Sequence, residues 1–473
     1  MMREESRDGY ESMEFAGVVK RYKRMLSEDR TEFFDVSDFE HIADHYIEKN
    51  QLTNALQACE IALAQHPNST IVKIKKAQIL MGQMKFDKAM QLLNHLSAIE
   101  SSNPDVLLML GIAHNLSGEE KVANSYFEKI EKLSLDERDD IFYQIATSFI
   151  QNENYRNAAI YLEKAYQENQ TNDSVIYDLA FCYDKLELDL LSIIFYNKYL
   201  DIDPFSESAW YNLGIVYSRL ERYGEAIEAY DFALAIDDKY TGALFNKANS
   251  LSAIEQYHAA VECYLEYLKY DRNSVEANLY IAECYFQLDD LEKASLHYDK
   301  AIVIDPKNAD AWYGAAIIVL VKGQYERSIA MLKRALSLDP GCADCWNALG
   351  KAHSALHQYF DAENAFQKAI DIDETNPDFR IALAEYYYQT SQIDMAVITM
   401  TEATESEAAC PAINYRLAGY LIANHRQELA VPVLEQALSE DFNMHHDFME
   451  SFPSCRKIKW IKEMIDEFAS KKQ

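Results

Sequence analysis

The chain has 473 residues, of which 77 are Asp or Glu and 45 are Lys or Arg, so its formal net charge at pH 7 is −32. This charge disfavours nucleic acid and anionic membrane surfaces as partners, because both are rich in phosphate, and favours neutral to basic protein segments. No apolar run reaches the roughly 18 residues of a membrane-spanning helix. The segment Met1-Met2-Arg3-Glu4 lacks the apolar core of a secretory signal, so we expect a cytoplasmic protein.

The first 35 residues precede the regular part of the sequence. Residues 1–12 have the acidic and polar composition of a disordered tail. Residues 13–35 are expected to form an N-terminal capping helix and a loop, with the apolar side of the helix carrying Phe15, Val18, Val19, Tyr22 and Leu26. Ser37 and Glu40 have the spacing of a capping box, which predicts the start of the next helix.

A small residue then recurs with a period of 34 residues, interrupted by one step of 35. It occupies Ala43, Ala77, Gly111, Ala146, Ala180, Gly214, Ala248, Ala282, Ala316, Gly350, Ala384 and Ala418. A second small residue follows each of these by twelve, at Ala55, Ala89, Ala123, Ala158, Ser192, Ala226, Ala260, Ala294, Ser328, Ala362, Ala396 and Ala430. Small side chains let two helix backbones approach closely, so this rhythm predicts two crossing helices in each copy.

Large and mostly apolar residues occupy two further places in each copy, if Ala43 is counted as the eighth position. The eleventh position holds Tyr46, Leu80, His114, Phe149, Tyr183, Tyr217, Leu251, Tyr285, Val319, His353, Tyr387 and Leu421. The twenty-fourth holds Cys59, Leu93, Phe127, Leu162, Tyr196, Tyr230, Tyr264, Tyr298, Leu332, Phe366, Met400 and Leu434. The spacings of apolar residues are those of one buried face on each of two short helices.

Two copies carry the complete motif of a known repeat. One reads Trp210, Leu213, Gly214, Tyr217, Ala226, Tyr230 and Ala233, and the other begins at Trp346. This pattern resembles the tetratricopeptide repeat, and residues 36–444 hold twelve copies in phase. The resemblance implies an all-α fold: a right-handed superhelical solenoid of antiparallel helix pairs with helical caps.

Residues 445–473 follow the last copy and are expected to form C-terminal capping helices. The final helix has Ile458, Ile461, Ile465 and Phe468 on one stripe, surrounded by basic residues. A cap is expected because the terminal units of a solenoid have one solvated face. The alternative for residues 455–470 is that Trp460 and the basic cluster also dock a partner.

No residue pattern indicates catalysis, a cofactor or a metal, so we expect a protein that is not an enzyme. Cys342 and Cys345 have the spacing of half a zinc site or of a redox pair, but no second pair accompanies them, and we interpret the spacing as chance. His445-His446-Asp447 likewise lacks a spaced set of further ligands. Several other cysteines fall inside predicted helices, as free thiols would in a reducing compartment, among them Cys59, Cys182, Cys263 and Cys284.

The resemblance also implies a binding surface, because the first helix of each repeat would line a concave groove. The residues predicted to line it are Tyr143, Tyr177, Phe181, Tyr211, Asn212, Ile215, Phe245, Asn246, Asn249 and Tyr313. Aromatic rings can receive apolar side chains of a peptide, and amides can hold its backbone. We therefore predict a non-enzymatic scaffold or adaptor that binds a peptide or protein segment. The alternative is a structural subunit of a stable complex or homo-oligomer, assembled through a cap or the convex face.

Overall fold

A computed structural model of the protein describes residues 17–28, 30–133, 138–406 and 409–472. These residues form helices joined by short turns, and none of them lies in a strand. The all-α fold predicted from the sequence is therefore confirmed. The predicted tail at residues 1–12 lies outside the described residues, as do the first four residues of the predicted N-terminal cap.

The chain divides into two compact units, Met1–Lys239 and Tyr240–Gln473. In the first unit, helix α1 is described over residues 17–27. The helices that follow are α2 (Val36–Glu48), α3 (Leu52–Gln65), α4 (Thr70–Gly82), α5 (Phe86–Ile99), α6 (Pro104–Leu116), α7 (Glu120–Glu131), α8 (Arg138–Gln151), α9 (Tyr155–Glu168), α10 (Asp173–Lys185), α11 (Asp189–Ile202), α12 (Glu207–Arg219) and α13 (Tyr223–Ile236).

The second unit continues the same alternation and ends with shorter elements. Its paired helices are α14 (Thr241–Ala253), α15 (Tyr257–Tyr270), α16 (Val275–Gln287), α17 (Leu291–Ile304), α18 (Ala309–Val321), α19 (Tyr325–Leu338), α20 (Ala343–Ala355), α21 (Tyr359–Ile372), α22 (Pro377–Gln389), α23 (Ile393–Thr404), α24 (Pro411–Ala423) and α25 (Gln427–Glu440). Helices α26 (His445–Ser451) and α27 (Lys459–Lys472) follow, with 3₁₀ turns at Phe442–Met444 and Pro453–Lys457.

The predicted period matches the helices closely. We call the even-numbered helices α2 to α24 the A helices and their odd-numbered partners α3 to α25 the B helices. Every A helix begins seven residues before its small residue, except α8, which begins eight before Ala146. The single step of 35 residues therefore places its extra residue at or before the start of α8. Every B helix begins three residues before its own small residue.

The small residues are required where the two helices of a pair cross. A Cβ atom placed on Gly214 would lie 2.5 Å from Cε1 of Tyr230, the large residue at the twenty-fourth position. Gly111 meets Phe127 in the same way, with a separation of 2.3 Å. Where the eighth position is Ala, as in Ala43, the residue is fully buried. In these pairs the large side chain at the twenty-fourth position, such as Tyr230 or Phe127, thus packs against the A-helix backbone.

Polar side chains cap the N-termini of most A helices. Backbone amides of the first turn donate to Ser69, Asn103, Asn172, Ser206, Ser274, Asn308, Cys342 and Asn376. Such caps satisfy amides that have no partner within the helix. Helix α2 differs from the prediction: its N-cap is Asp35, which makes no capping hydrogen bond with its side chain, so the capping box predicted from Ser37 and Glu40 does not set this helix start.

The turn between the A and B helices has the same backbone geometry in all twelve pairs. One residue in each turn has a positive φ: Asn50, Met84, Gly118, Glu153, Glu187, Glu221, Glu255, Asp289, Gly323, His357, Ser391 and His425. In the first turn the amide of Asn50 donates to the carbonyl of Ile47, and the amide of Gln51 donates to the carbonyl of Tyr46. This is the Schellman arrangement, which ends a helix and reverses the chain.

The A helices form the more tightly spaced layer of each unit. In the first unit, α2, α4, α6 and α8 contact one another in succession, and α10 contacts α12. In the second unit, α16, α18, α20, α22 and α24 do the same. The B helices of successive repeats make at most marginal contact among the described residues. The sides of the A helices that the B helices leave uncovered form, within each unit, a surface that we call the A surface.

The first and the last described helices pack onto the helix pairs next to them. At the N-terminal end, Tyr22 of α1 is fully buried against Phe34, Phe39 and Tyr46. Leu26, predicted on the packed side of α1, is exposed, and Met25 is buried instead. The helix is therefore rotated relative to the prediction.

At the C-terminal end, Phe452 lies against Gly419 and Ile461 is fully buried. Trp460 is partly buried against the same core, while Arg456, Lys457, Lys459 and Lys462 are exposed. The boundaries predicted for the caps and for the array at residues 36–444 remain predictions.

Candidate peptide-binding surface of the A helices

The ten predicted groove residues all lie on A helices, and all are partly exposed. Six belong to α8, α10 and α12 of the first unit: Tyr143, Tyr177, Phe181, Tyr211, Asn212 and Ile215. Four belong to α14 and α18 of the second unit: Phe245, Asn246, Asn249 and Tyr313. Because the two sets belong to different compact units, each is described by itself.

In the first unit, Asn212 and Tyr177 contact each other across adjacent repeats. The Nδ2 atom of Asn212 donates to the hydroxyl oxygen of Tyr177 at 3.2 Å. The ring of Tyr177 also meets Tyr199 of the B helix edge-on, with the ring centroids 5.0 Å apart. The Asn212 amide predicted to hold a peptide backbone therefore already uses one N–H to orient Tyr177.

Tyr143 and Asp178 form a polar pair on the neighbouring repeats. Burial, together with the charge of Asp178 and a hydrogen bond to it, raises the pKa of Tyr143 to about 12. Burial also raises the pKa of Asp178 above its ordinary value, although the hydrogen bond from Tyr143 opposes this. A partly desolvated carboxylate gains from a cationic or N–H donor brought to it.

The other two predicted aromatic residues of the first unit, Phe181 and Tyr211, are partly covered by neighbouring side chains. Phe181 meets Tyr155 edge-on at 5.9 Å, and the Lys185 ammonium lies 5.2 Å from the centre of its ring. Tyr211 lies 6.0 Å from Tyr230. These contacts fix the orientation of the rings while leaving part of each side chain exposed.

A pocket of about 420 Å³ lies on the A surface of the first unit, between α4, α6 and α8. Its floor consists of the buried side chains of Met81, Met109 and Ile112, with Tyr143 at one side. Three exposed amide side chains stand at its rim: Gln78, Gln144 and Gln151. Of this set, only Tyr143 was predicted from the sequence. Gln78 and Ile112 had a sequence signal, because they occupy the same ninth position as the predicted residues Phe181 and Ile215.

In the second unit, the predicted residues are held mainly by aromatic contacts. Phe245 packs on Tyr264, Tyr267 and Tyr280 at centroid distances of 5.6, 5.1 and 5.8 Å. The hydroxyl of Tyr264 donates to Oδ1 of Asn249 at 2.5 Å.

For Tyr313, burial and the charge of Asp344 raise the pKa of the phenol to about 12. A further pocket of about 440 Å³ opens between α20 and α22, with Lys351 and Glu385 in its lining. Its lining is more polar and charged than the floor of the pocket in the first unit.

The structure corrects the interpretation of Cys342 and Cys345. The two residues are joined by a disulfide at the N-terminus of α20, with their Cα atoms 5.3 Å apart, so the spacing is not a chance one. Cys59, Cys182 and Cys284 are free and buried, as predicted, whereas Cys263 is only partly buried. Within the described residues, no three His, Cys, Asp or Glu side chains come together as a metal site. No described helix is both long enough and apolar enough to cross a bilayer.

Comparison with protein families gives a consistent result along the chain. Family models described as the tetratricopeptide repeat match residues 46–116, 139–172, 208–240, 245–309, 296–352 and 343–376. Together these matches extend over more than half of the sequence. No curated protein sequence matches the chain significantly.

Several solved structures are similar to the chain at low sequence identity. The APC/C hetero-tetramer Cut9-Hcn1 is 14% identical, with 91% of this chain and 95% of that chain covered and a TM-score of 0.41. The C-terminal part of a TPR repeat-containing protein from Cytophaga hutchinsonii is 17% identical, with coverages of 51% and 98% and a TM-score of 0.45. YrrB, titled a TPR protein with an unusual peptide-binding site, is 19% identical, with coverages of 40% and 95% and a TM-score of 0.34.

Proposed function

Because the chain belongs to the tetratricopeptide repeat family, we propose that it is a non-enzymatic scaffold that binds an extended segment of a partner protein on the A surface of its first unit. The observation that carries this proposal is the pocket between α4, α6 and α8. Its floor is made of Met81, Met109 and Ile112, and its rim is made of exposed glutamines. Flexible methionines suit a site that receives an apolar side chain.

The rim complements the backbone of such a segment. A glutamine side chain both donates and accepts hydrogen bonds, so it can pair with either group of a peptide unit. Asp178, on α10, adds a carboxylate whose pKa is raised by burial. We therefore propose that the partner segment is extended, carries an apolar side chain and is neutral to basic.

A peptide array tests this proposal. Immobilised peptides of about 12 residues would be probed with the wild-type protein and with the variant Gln78→Ala/Gln144→Ala/Gln151→Ala. One hydrogen bond contributes about 0.5–1.5 kcal/mol net, so losing two or three weakens binding about tenfold or more. The three side chains are exposed, so the fold is expected to survive their truncation.

The matched control removes three exposed glutamines from B helices of the same unit. Gln57, Gln91 and Gln167 lie on α3, α5 and α9 and are equally solvated. The variant with all three changed to Ala should bind like the wild type. Equal binding by both triple variants, or enrichment of acidic peptides, would contradict the proposed site.

A second function, assembly through the B-helix side, is favoured by one specific patch. Helix α11 exposes the apolar side chains of Leu190, Leu191, Ile194 and Ile202. Contiguous apolar surface of this kind often marks a protein interface. If α11 mediates self-association, light scattering after gel filtration will show an oligomer that Leu190→Glu/Ile194→Glu converts to monomer. The control Ile160→Glu, an exposed site on α9, should leave the oligomer intact.

A further inference from the structure

Another pocket lies on the side of the helix pairs opposite the A surface, among α15, α16 and α17 of the second unit. Its volume is about 500 Å³. Its walls include Leu268, Leu296 and Val303, and Arg272 and Lys300 stand at its edge. Asn278 lies at its floor, at the fourth position of the repeat. A volume of this size is typical of sites that bind small molecules or single side chains.

The fourth position holds tryptophan in three other repeats, and the role of that tryptophan is the same in each. The indole Nε1 of Trp210 donates to the carbonyl of Pro204 at 3.0 Å. Trp312 donates to the carbonyl of Pro306 at 3.1 Å, and Trp346 donates to that of Pro340 at 3.3 Å. In these repeats the chain's own indole thus occupies the space between the preceding loop and the B helix.

The B helix also contributes to the tryptophan site. The ring of Trp210 stacks on Phe232 with centroids 4.4 Å apart. The Lys368 ammonium lies 4.2 Å from the centre of the Trp346 ring. Phe232 and Lys368 occupy equivalent positions, 22 residues after their tryptophans. A cation or an aromatic ring at this position therefore covers the face of the indole.

The repeat of Asn278 keeps these partners but lacks the indole. Arg272 lies one period of 34 residues before Pro306 and two periods before Pro340, so it occupies the equivalent place in its own repeat. Its carbonyl therefore corresponds to the carbonyls that accept the indole N–H in the other repeats. Lys300 lies 22 residues after Asn278, in the place of Lys368. Asn278 itself is folded away: its Nδ2 donates to the carbonyl of Ser274 at 2.9 Å, and its Oδ1 lies 2.9 Å from Nδ1 of His297.

The walls of this pocket are more apolar than the corresponding walls of the filled sites. Leu296 and Val303 are 52% and 79% exposed. In the Trp346 repeat the equivalent residues are Asn364 and Asp371. Exposed apolar side chains around an open pocket are a common feature of binding sites.

We propose that this pocket binds the tryptophan side chain of a partner polypeptide, which takes the place that the chain's own tryptophan fills in other repeats. The indole N–H donates to the carbonyl of Arg272, the Lys300 ammonium covers one ring face, and Leu296 and Val303 enclose the apolar edge. This site lies on the B-helix side and is independent of the proposed A-surface function.

The test uses N-acetyl-L-tryptophanamide as the probe. Saturation-transfer NMR of the ligand detects its binding, and a titration measures its affinity. The blocking variant is Asn278→Trp/His297→Ala, because Trp210 and Trp346 are accompanied by Ala229 and Ala365 where His297 stands. We expect the wild type to bind the probe and the variant to bind it at least about tenfold more weakly. N-acetyl-L-leucinamide should bind the wild type more weakly than the tryptophan probe, since it lacks the ring and the N–H.

A surface variant keeps the test decisive if the blocking variant does not fold. Leu296→Glu changes an exposed wall residue and should also weaken binding about tenfold, whereas Leu429→Glu, an exposed leucine on α25, should have no effect. The Gln78/Gln144/Gln151 variant should bind the probe like the wild type. The proposal is overturned if the wild type fails to bind the probe, if Leu296→Glu binds it like the wild type, or if the leucine probe binds equally well.

Discussion

We predict opposite effects for the same substitution at two glycines, of which one lies in the turn between paired helices and the other lies inside a helix. Gly118 has φ +86°, and Gly224, the second residue of α13, has no such constraint. A Cβ added at either residue meets no atom within 4 Å. Steric contacts therefore do not distinguish Gly118→Ala from Gly224→Ala, and only the backbone conformation does.

The magnitudes follow from that difference. A left-handed backbone costs an L-residue about 1–2 kcal/mol. Replacing glycine also reduces the conformational freedom of the unfolded chain, which offsets about 0.4–1 kcal/mol of this cost. Gly118→Ala should therefore destabilise its hairpin by about 1 kcal/mol. Gly224→Ala should stabilise α13 by about 0.5–1 kcal/mol, because alanine favours a helix. Conversely, Met84→Gly should stabilise its hairpin by about 0.5 kcal/mol, because Met84 has φ 57° and is 78% exposed.

Hydrogen exchange measured by mass spectrometry reads each hairpin separately. A change of 1 kcal/mol alters the exchange rate of amides that open locally by about fivefold. Amides of α6 and α7 should exchange about fivefold faster in Gly118→Ala, and those of α13 should exchange more slowly in Gly224→Ala. If both alanine variants shift exchange in the same direction, the backbone explanation is incorrect.

Three further predictions concern titration, thiol reactivity and the C-terminal cap. Burial, and to a lesser extent the charge of Lys300, lowers the pKa of His297 from 6.5 to about 4. The contribution of the neutral imidazole to the free energy of unfolding is therefore fully present above pH 6.5, and about 3 kcal/mol of it is lost as the pH falls to 4. Urea unfolding should show this loss in the wild type and not in His297→Ala. Burial raises the pKa of the Cys59 thiol to about 11 and that of Cys182 to about 12, so alkylation of the native protein at pH 8 should modify the partly exposed Cys410 before either; faster modification of Cys182 would contradict its burial. Phe452→Ala should destabilise the C-terminal end by about 3–5 kcal/mol in thermal unfolding, whereas Phe360→Ala, at an 80% exposed site, should change it by less than about 0.5 kcal/mol.

The helix pairs could be predicted from the sequence because their determinants are local and repeated. Each small residue marks a place where two helix backbones meet, as at Gly214 and Tyr230, so the period alone gives both helix starts. The left-handed turn residues were not predicted. Glycine is the usual signal for that conformation, and ten of the twelve positions hold another residue, such as Met84 or Glu221.

The division of the chain between Lys239 and Tyr240 was not predicted either. The repeats on both sides follow the same pattern, and nothing in the spacing changes there.

The candidate site was predictable by position but not by contact. The expectation that the first helix of each repeat lines the binding surface placed Tyr177 and Asn212 on the A helices, where both are partly exposed. It could not show that Asn212 donates to Tyr177, because that depends on side-chain rotamers on two repeats. The pocket beside Asn278 did have a sequence signal, namely an asparagine at a position that holds tryptophan elsewhere. The sequence alone does not show that this asparagine leaves a pocket open, because that follows from the contacts that the tryptophans make in the other repeats.

The pattern of helix contacts has a mechanical consequence. Among the residues that the structure describes in each unit, substantial contacts join only helices that are adjacent or next but one along the chain. No pairing between distant described segments holds the two ends of a unit together, so tension applied along the chain meets a series of similar interfaces between neighbouring helices. Stretching would release one hairpin at a time, and each 34-residue period would lengthen the molecule by up to about 110 Å. Such a chain yields gradually under load, as an extensible tether does.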